Sequence, residues 1–224
     1  MGGRGGASHR SVSGGVYGRD PDYNGYYVPQ SLREAIDRHM SLGNFDWNLW
    51  NALTQAERDG IFAYTGSAYS AINQVLFGSK AMTPRLRELI DNATSGMSKM
   101  QATFNFVATR GDRLEDMASL LKGTVAQMSD PAFLRSRIGK AFEFKGFMSS
   151  GVHQDAAWTF KGVTSIIKTP KGTHGLYVDP VSAHRGENEF LYQRGVKLMV
   201  HKIITDSNGR LKTVVFEVVT KKKK

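Results

Sequence analysis

The order in which two periodicities occur constrains this chain more than any other feature: helical signals come first and strand signals follow. Between Pro29 and about residue 100, helix starts show as capping residues followed by apolar positions at i, i+3 and i+4. Ser31 with Glu34 opens a helix to about Met40. Thr54 with Glu57 opens another, through Ile61, Phe62 and Tyr64 to Gly66. Ser67 starts a third, Ala68 to Phe77, closed by Gly78, and Thr83-Pro84 sets an N-cap before an N1 proline, with Leu86, Leu89 and Ile90 on one face. From Thr103 the pattern turns to strands. Phe104, Phe106 and Val107 lead into Thr109-Arg110-Gly111, Asp112 with Glu115 predicts a cap for a short helix over 113–121, and Asp130-Pro131 opens a further helical turn. Strands are expected over 141–148, 163–169, 175–178, 189–192, 196–205 and 211–219, the last two joined by Asp206-Ser207-Asn208-Gly209, whose Asn-Gly step suits a hairpin. Helices followed by strands predict an α+β fold rather than alternating βαβ units.

The ends of the chain differ from its middle. Residues 1–28 hold eight glycines and almost no aliphatic side chains, so they predict a flexible leader that cannot offset its ordering entropy by burial. Residues 29–220 are expected to form the domain, with a helical lobe over 29–100 and a β-rich core over 101–220. Lys221 to Lys224 form a lysine tail. With 30 Lys+Arg against 20 Asp+Glu the net charge is +10, which suits an anionic partner such as a nucleic acid or a phosphorylated ligand; a basic tail on an ordinary domain gives the same sign. The absence of cysteine removes disulfides, thiolate metal sites and a cysteine nucleophile. No run of about 18 apolar residues predicts a membrane span, and no apolar run near the start predicts a secretory signal.

Motifs that would announce common chemistries are missing. There is no phosphate loop of the GxxxxGK[ST] type, no HExxH and no GxSxG, and the only near match to GxGxxG is Gly3-Arg4-Gly5 in the leader. The six histidines lack metal-ligand spacing, so no metal is expected. What remains is three short stretches at successive strand edges: Arg110-Gly111, Phe147-Met148-Ser149-Ser150 and Glu187-Asn188-Glu189. Each alone is ordinary. Their conjunction in this order is specific.

That set resembles the Arg–Ser–Glu class of mono-ADP-ribosyltransferases, the family of clostridial binary toxins and phage-encoded transferases. Phe147-Met148-Ser149-Ser150-Gly151 is similar to the family's F-x-S-T-S strand start, and Glu187-Asn188-Glu189 to its E-x-E motif, followed by Phe190-Leu191-Tyr192-Gln193-Arg194-Gly195. Thr169 to Pro180 resembles the approach to that motif, and Tyr64-Thr65-Gly66-Ser67 with Tyr69, Ile72 and Asn73 resembles the helical part of toxin-like members. The resemblance covers roughly residues 55–219. It implies a mixed or antiparallel two-sheet β-sandwich behind the helical lobe, and NAD⁺ as substrate with no metal. Its departures are Ser150 for threonine, Gly151 for serine, Thr109 for a larger residue and Gln193 for proline.

The resemblance also implies roles. Arg110 would clamp the diphosphate of NAD⁺, as a guanidinium can in bidentate fashion. Glu189 would stabilise the oxocarbenium-like transition state and hydrogen-bond the ribose, with Ser149 holding its carboxylate. Gly111 and Ser150 would complete the cofactor-binding edge, and Tyr64 and Asn73 either reach the cofactor from the helical lobe or serve helix packing. Glu187, at i−2 from Glu189, is expected on the same strand face and would orient and deprotonate an arginine acceptor, since a glutamate at this position goes with arginine acceptors in the family. His184 and Arg185 fall in the expected acceptor loop, where His184 either stacks on the acceptor or is a plain exposed histidine. Trp158 and Phe160 either wall the nicotinamide site or anchor a short helix, and Arg113 and Lys168 are further candidates for phosphate contacts. The expected protein is a monomer that modifies arginine of a host or target protein in that cell's cytoplasm, carried by a phage or delivered as an effector. Alternatives with the same residues are NAD⁺ hydrolysis, transfer to nucleic acid, and a non-catalytic virion-associated module whose basic ends bind nucleic acid.

Overall fold

Side-chain oxygens start most helices of the first lobe. In the computed structural model, which describes residues 23–220 apart from Trp158, the leader through residue 22, Trp158 and the lysine tail lie outside the described residues. Ser31 caps α1 (Leu32–Ser41), Asp46 caps α2 (Trp47–Ala52), Thr54 caps α3 (Gln55–Thr65) and Thr83 caps α5 (Pro84–Ser98), each accepting an N–H that the helix itself leaves unpaired. The exception is α4 (Tyr69–Leu76), which has no side-chain cap. Ser67 is not its cap: the N-cap is Ala68, whose own amide donates to the Ala63 carbonyl in the turn that ends α3. Helices α3 and α5 pack closely at Gly60, where a Cβ would come within 2.6 Å of the Ala93 amide nitrogen. At the same crossing Glu57 accepts from Lys99 and Ser95, both at 2.6 Å.

The β-rich part holds β1 (Phe106–Asp112), α6 (Leu114–Leu120), α7 (Pro131–Arg137), β2 (Ala141–Phe144), β3 (Met148–Gly151), β4 (Val163–Thr169), β5 (Gly175–Tyr177), β6 (Glu189–Tyr192), β7 (Val196–Thr205) and β8 (Leu211–Val218). The α+β class expected from the sequence is the class observed. The strands run in the order β2-β7-β8-β4-β1-β3-β6-β5, antiparallel except for the β4–β8 pair. They form one hydrogen-bonded sheet rather than the two of the expected sandwich, yet β1 and β3 pair only at Thr109 and Gly151. Beyond Gly151 the chain turns off into a short 3-10 turn at Gln154–Ala156, so the ladder ends and a five-strand half meets a three-strand half at one register pair.

Three further expectations need correction. The strand expected over 141–148 is two strands, split around Gly146, whose missing side chain leaves room for Asn73 of α4. Asp112 does not cap α6; Arg113 is the N-cap and makes no side-chain bond there, because the Asp112 carboxylate pairs with Arg110 and accepts from Ser165 instead. The flexible leader expected over residues 1–28 is not what residues 23–28 form. Tyr23 is buried with Val107, Ile166 and Val215, Tyr27 bridges to Phe106, and the Tyr26 hydroxyl donates to Glu217. On the opposite face, Phe106, Tyr177 and Phe190 surround His39, whose burial drives its imidazole down to about 3 and keeps it neutral.

Candidate active site

Arg110 is the one half-buried residue in a strand that is otherwise buried, so β1 presents a single guanidinium to a cleft. Its Nε donates to Asp112 Oδ1 at 2.6 Å and its Nη1 donates to the Ser149 carbonyl at 2.9 Å. The other Asp112 oxygen accepts from the Ser165 hydroxyl at 2.6 Å, and the guanidinium lies over the Phe144 ring, 5.2 Å from its centre. A guanidinium fastened at two nitrogens has little freedom left to lose on binding an anion.

Across the seam, β3 and β6 pair Gly151 with Glu189 and Ser149 with Leu191. Glu189 is 8% exposed, and its Oε1 is buried with no hydrogen-bond partner among the described residues. Burial pushes its carboxyl up to about 7; Glu187 and Asp179 add to that push, while the Ser149 hydroxyl and the Arg110 guanidinium oppose it. Such an orphan acceptor costs stability unless something else comes to meet it. Glu187 lines the same cleft but does not lie on the strand, because β6 begins at Glu189 and Asn188 between them has φ +52°. The two carboxylates therefore converge by a left-handed kink, not by the i, i+2 strand geometry expected from the sequence.

The cleft encloses about 380 Å³. Of the residues singled out in the sequence, Tyr64, Arg110, Gly111, Ser149, Ser150, His184, Glu187 and Glu189 line it. The Ser150 hydroxyl, however, donates back to the Phe190 carbonyl at 3.1 Å. Arg185 is exposed and does not line the cleft, and neither does Asn73, which donates to the Tyr64 hydroxyl at 2.9 Å while that hydroxyl donates to the Phe147 carbonyl. Asn73 thus sets the position of Tyr64 from behind. Phe160 is 81% exposed and does not line the cleft, so neither reading offered for it holds. Arg113 pairs with Asp116 on the surface, and Lys168, under the Tyr26 ring, pairs with half-buried Glu217 at 3.1 Å, so neither lines the cleft.

Thr65 and Tyr69, which entered the sequence reading only through the resemblance, also line the cleft, as do Gly151, Ala156 and Ala157 of the stretch after Ser150; sequence reasoning missed Lys161 and did not give Thr109 a place in the site, and both line it. Thr109 is fully buried, and its hydroxyl has no hydrogen-bond partner among the described residues. Lys161 was legible as the only Lys or Arg between Gly151 and Gly162. No group of three or more metal-binding side chains occurs among the described residues, and no helix among them is long and apolar enough to cross a membrane. A fixed cation on one side and a buried carboxylate with an open oxygen on the other suit a ligand carrying phosphate at one end and developing positive charge at the other.

The family described as ADP-ribosyltransferase exoenzyme matches residues 41–222. Among curated relatives, NAD(+)--arginine ADP-ribosyltransferase EFV of Enterococcus faecalis is 27% identical over 148 residues, which are 61% of this chain and 27% of that protein. Mono-ADP-ribosyltransferase C3 of a Clostridium botulinum D phage is 23% identical over 186 residues, 78% of this chain and 73% of that one. The match therefore spans about a quarter of the Enterococcus relative and about three quarters of the phage one. Among solved structures, C3stau2 from S. aureus with NAD superposes at TM-score 0.71, with 19% identity over 88% of this chain and 99% of that one. The Clostridium limosum C3 exoenzyme does so at TM-score 0.71 with 18% identity, over 87% of this chain and 98% of that one. These likenesses show the fold.

Proposed function

The chain belongs to the ADP-ribosyltransferase exoenzyme family, and we propose that it transfers ADP-ribose from NAD⁺ to arginine side chains of target proteins. One observation carries the reading: the buried, unpartnered Oε1 of Glu189 and the fastened guanidinium of Arg110 share one cleft. The Enterococcus relative that shares sequence with this chain is named for arginine, and Glu187 is the carboxylate such an acceptor requires.

In this reading Arg110 holds the diphosphate by charge and hydrogen bonds. Glu189, ionised, accepts from the nicotinamide ribose and faces the positive charge that develops at C1′ as the bond to the nicotinamide nitrogen breaks. The electron pair of that bond leaves with nicotinamide, which departs neutral, so cleavage needs no proton donor. Glu187 orients the incoming guanidinium and takes one of its protons as its nitrogen bonds to C1′. The products are ADP-ribosyl-arginine, still cationic, free nicotinamide and one proton. The protonated guanidinium is a poor nucleophile, which is why transfer needs a second carboxylate and cleavage does not.

The test is nicotinamide release from NAD⁺ together with labelling of lysate proteins. The wild type is expected to do both, with a label that hydroxylamine removes. Glu189→Gln is expected to lose both by at least about a hundredfold, as removal of one transition-state-stabilising group typically does. Glu187→Gln is expected to lose labelling and keep cleavage. A wild type that releases no nicotinamide with or without lysate would overturn the reading.

A further inference from the structure

Glu187 stands between two left-handed residues, Gly186 at φ +93° and Asn188 at φ +52°. An exposed glutamate in a loop ordinarily wanders, and nothing in the strand ladder fixes this one, since pairing starts at Glu189. Its backbone is nevertheless held on both sides. Asp179 Oδ1 accepts from the Gly186 amide at 2.9 Å and from the Asn188 amide at 2.7 Å, so a single oxygen brackets Glu187.

Asn188 is tied as firmly. Its side-chain carbonyl accepts from the Tyr177 hydroxyl at 3.0 Å, its side-chain amide donates to the Gly186 carbonyl at 2.9 Å, and its own carbonyl accepts from the Val152 amide at 3.1 Å. Together with the bond to Asp179, both backbone groups and both ends of the side-chain amide are satisfied in a residue that is 8% exposed. Asparagine tolerates the left-handed conformation better than most residues, because its short polar side chain can bond locally. Further along the loop, the Ala183 amide donates to Thr65 Oγ1 of α3, so the opposite arm of the loop is pinned to the helical lobe.

We propose that Asp179 and Asn188 are positioning residues for acceptor chemistry: they form a clamp that fixes Glu187 against the cleft while Glu189 is fixed independently by its strand. The proposal rests on the transferase reading above and deepens it, because it separates the two activities by what holds each carboxylate. Loss of the clamp releases Glu187 and leaves Glu189 paired with Gly151. Transfer then fails where cleavage persists.

The experiment compares Asp179→Ala and Asp179→Asn with the wild type at pH 8, above the titration of Glu189. Two rates are measured: nicotinamide release from NAD⁺ alone, and ADP-ribose transfer to a free guanidino acceptor such as agmatine. Asp179→Ala is expected to lower transfer by about 10- to 100-fold, the cost of misplacing a reacting group by about an ångström, with hydrolysis within about threefold of wild type. Asp179→Asn keeps an acceptor oxygen and is expected to restore most of the transfer. Trypsin cutting after exposed Arg185 reads the clamp without any activity, and in Asp179→Ala this cut is expected to speed up at least about fivefold, as local opening becomes easier. Equal losses of hydrolysis and transfer, unchanged transfer, or an unchanged cut at Arg185 would each overturn the clamp. A wild type without nicotinamide release sinks the transferase reading instead, and the cut rate alone then decides whether the clamp exists.

Discussion

Burying a carboxylate with an open oxygen is expensive, and Glu189 shows how the molecule handles that cost at the scale of one residue. Its carboxyl is pushed up to about 7 by burial, so near neutrality it is divided between its two protonation states. Only the ionised form can face a developing positive charge, so nicotinamide release is expected to rise through an acid limb near pH 7 rather than near the ordinary glutamate value. The Ser149 side chain opposes the upward push. Ser149→Ala is therefore expected to move that limb to higher pH, and the pH profile of kcat/KM for NAD⁺ checks it; a limb that stays or moves lower would refute the role of Ser149. That Arg110, Ser149, Glu187 and Glu189 come together was legible in the sequence through the resemblance their motifs carry, and all four line one cleft. The place of Thr109 in the cleft was not legible, because a threonine in a strand looks the same wherever it points.

Whole elements divide between those governed locally and those governed by distant contacts. Ser31, Thr54, Thr83 and Asp130 were readable as helix starts because capping is settled within four residues, and the structure places each one there. Helix α2 was missed because its six residues are too few to show a periodicity. Asp112 carries the local pattern of a cap, but a guanidinium two residues back and a hydroxyl on β4 outbid it. Gly151 is the sharpest case, since the resemblance led to serine there. A Cβ at this position would lie 2.7 Å from the Ala156 carbonyl carbon and 2.8 Å from the Ala157 nitrogen, both backbone atoms that cannot rotate away. Gly151→Ser is thus expected to push this cleft-lining turn off β3, costing about 1–3 kcal/mol and raising the KM for NAD⁺ several-fold. Thermal melting and initial rates check this, and a variant unchanged in both would show that the turn yields freely.

At the scale of the whole molecule, the glycine- and tyrosine-rich start of the chain was read by composition as a tether throughout, and that reading fails where its tyrosines find the sheet. Tyr23 sits on Val107, Ile166 and Val215; Lys168 lies beneath the Tyr26 ring, 5.0 Å from its centre, and both reach Glu217. A tyrosine is polar enough to pass for linker and large enough to cover a face. Beginning the chain at Pro29 is expected to cost about 2–4 kcal/mol, roughly 5–10 °C in Tm, relative to a chain beginning at Tyr23. Equal melting of the two would show that the segment contributes nothing. The other large-scale feature is the seam where β1 meets β3 through one pair of residues. Arg110 stands on one bank with Glu189 on the other, and its bond to the Ser149 carbonyl is already a stitch across the gap. On the proposed reading, a dinucleotide gripped from both banks would act as a rivet through the thinnest part of the sheet, so part of its binding free energy would belong to the protein holding itself together.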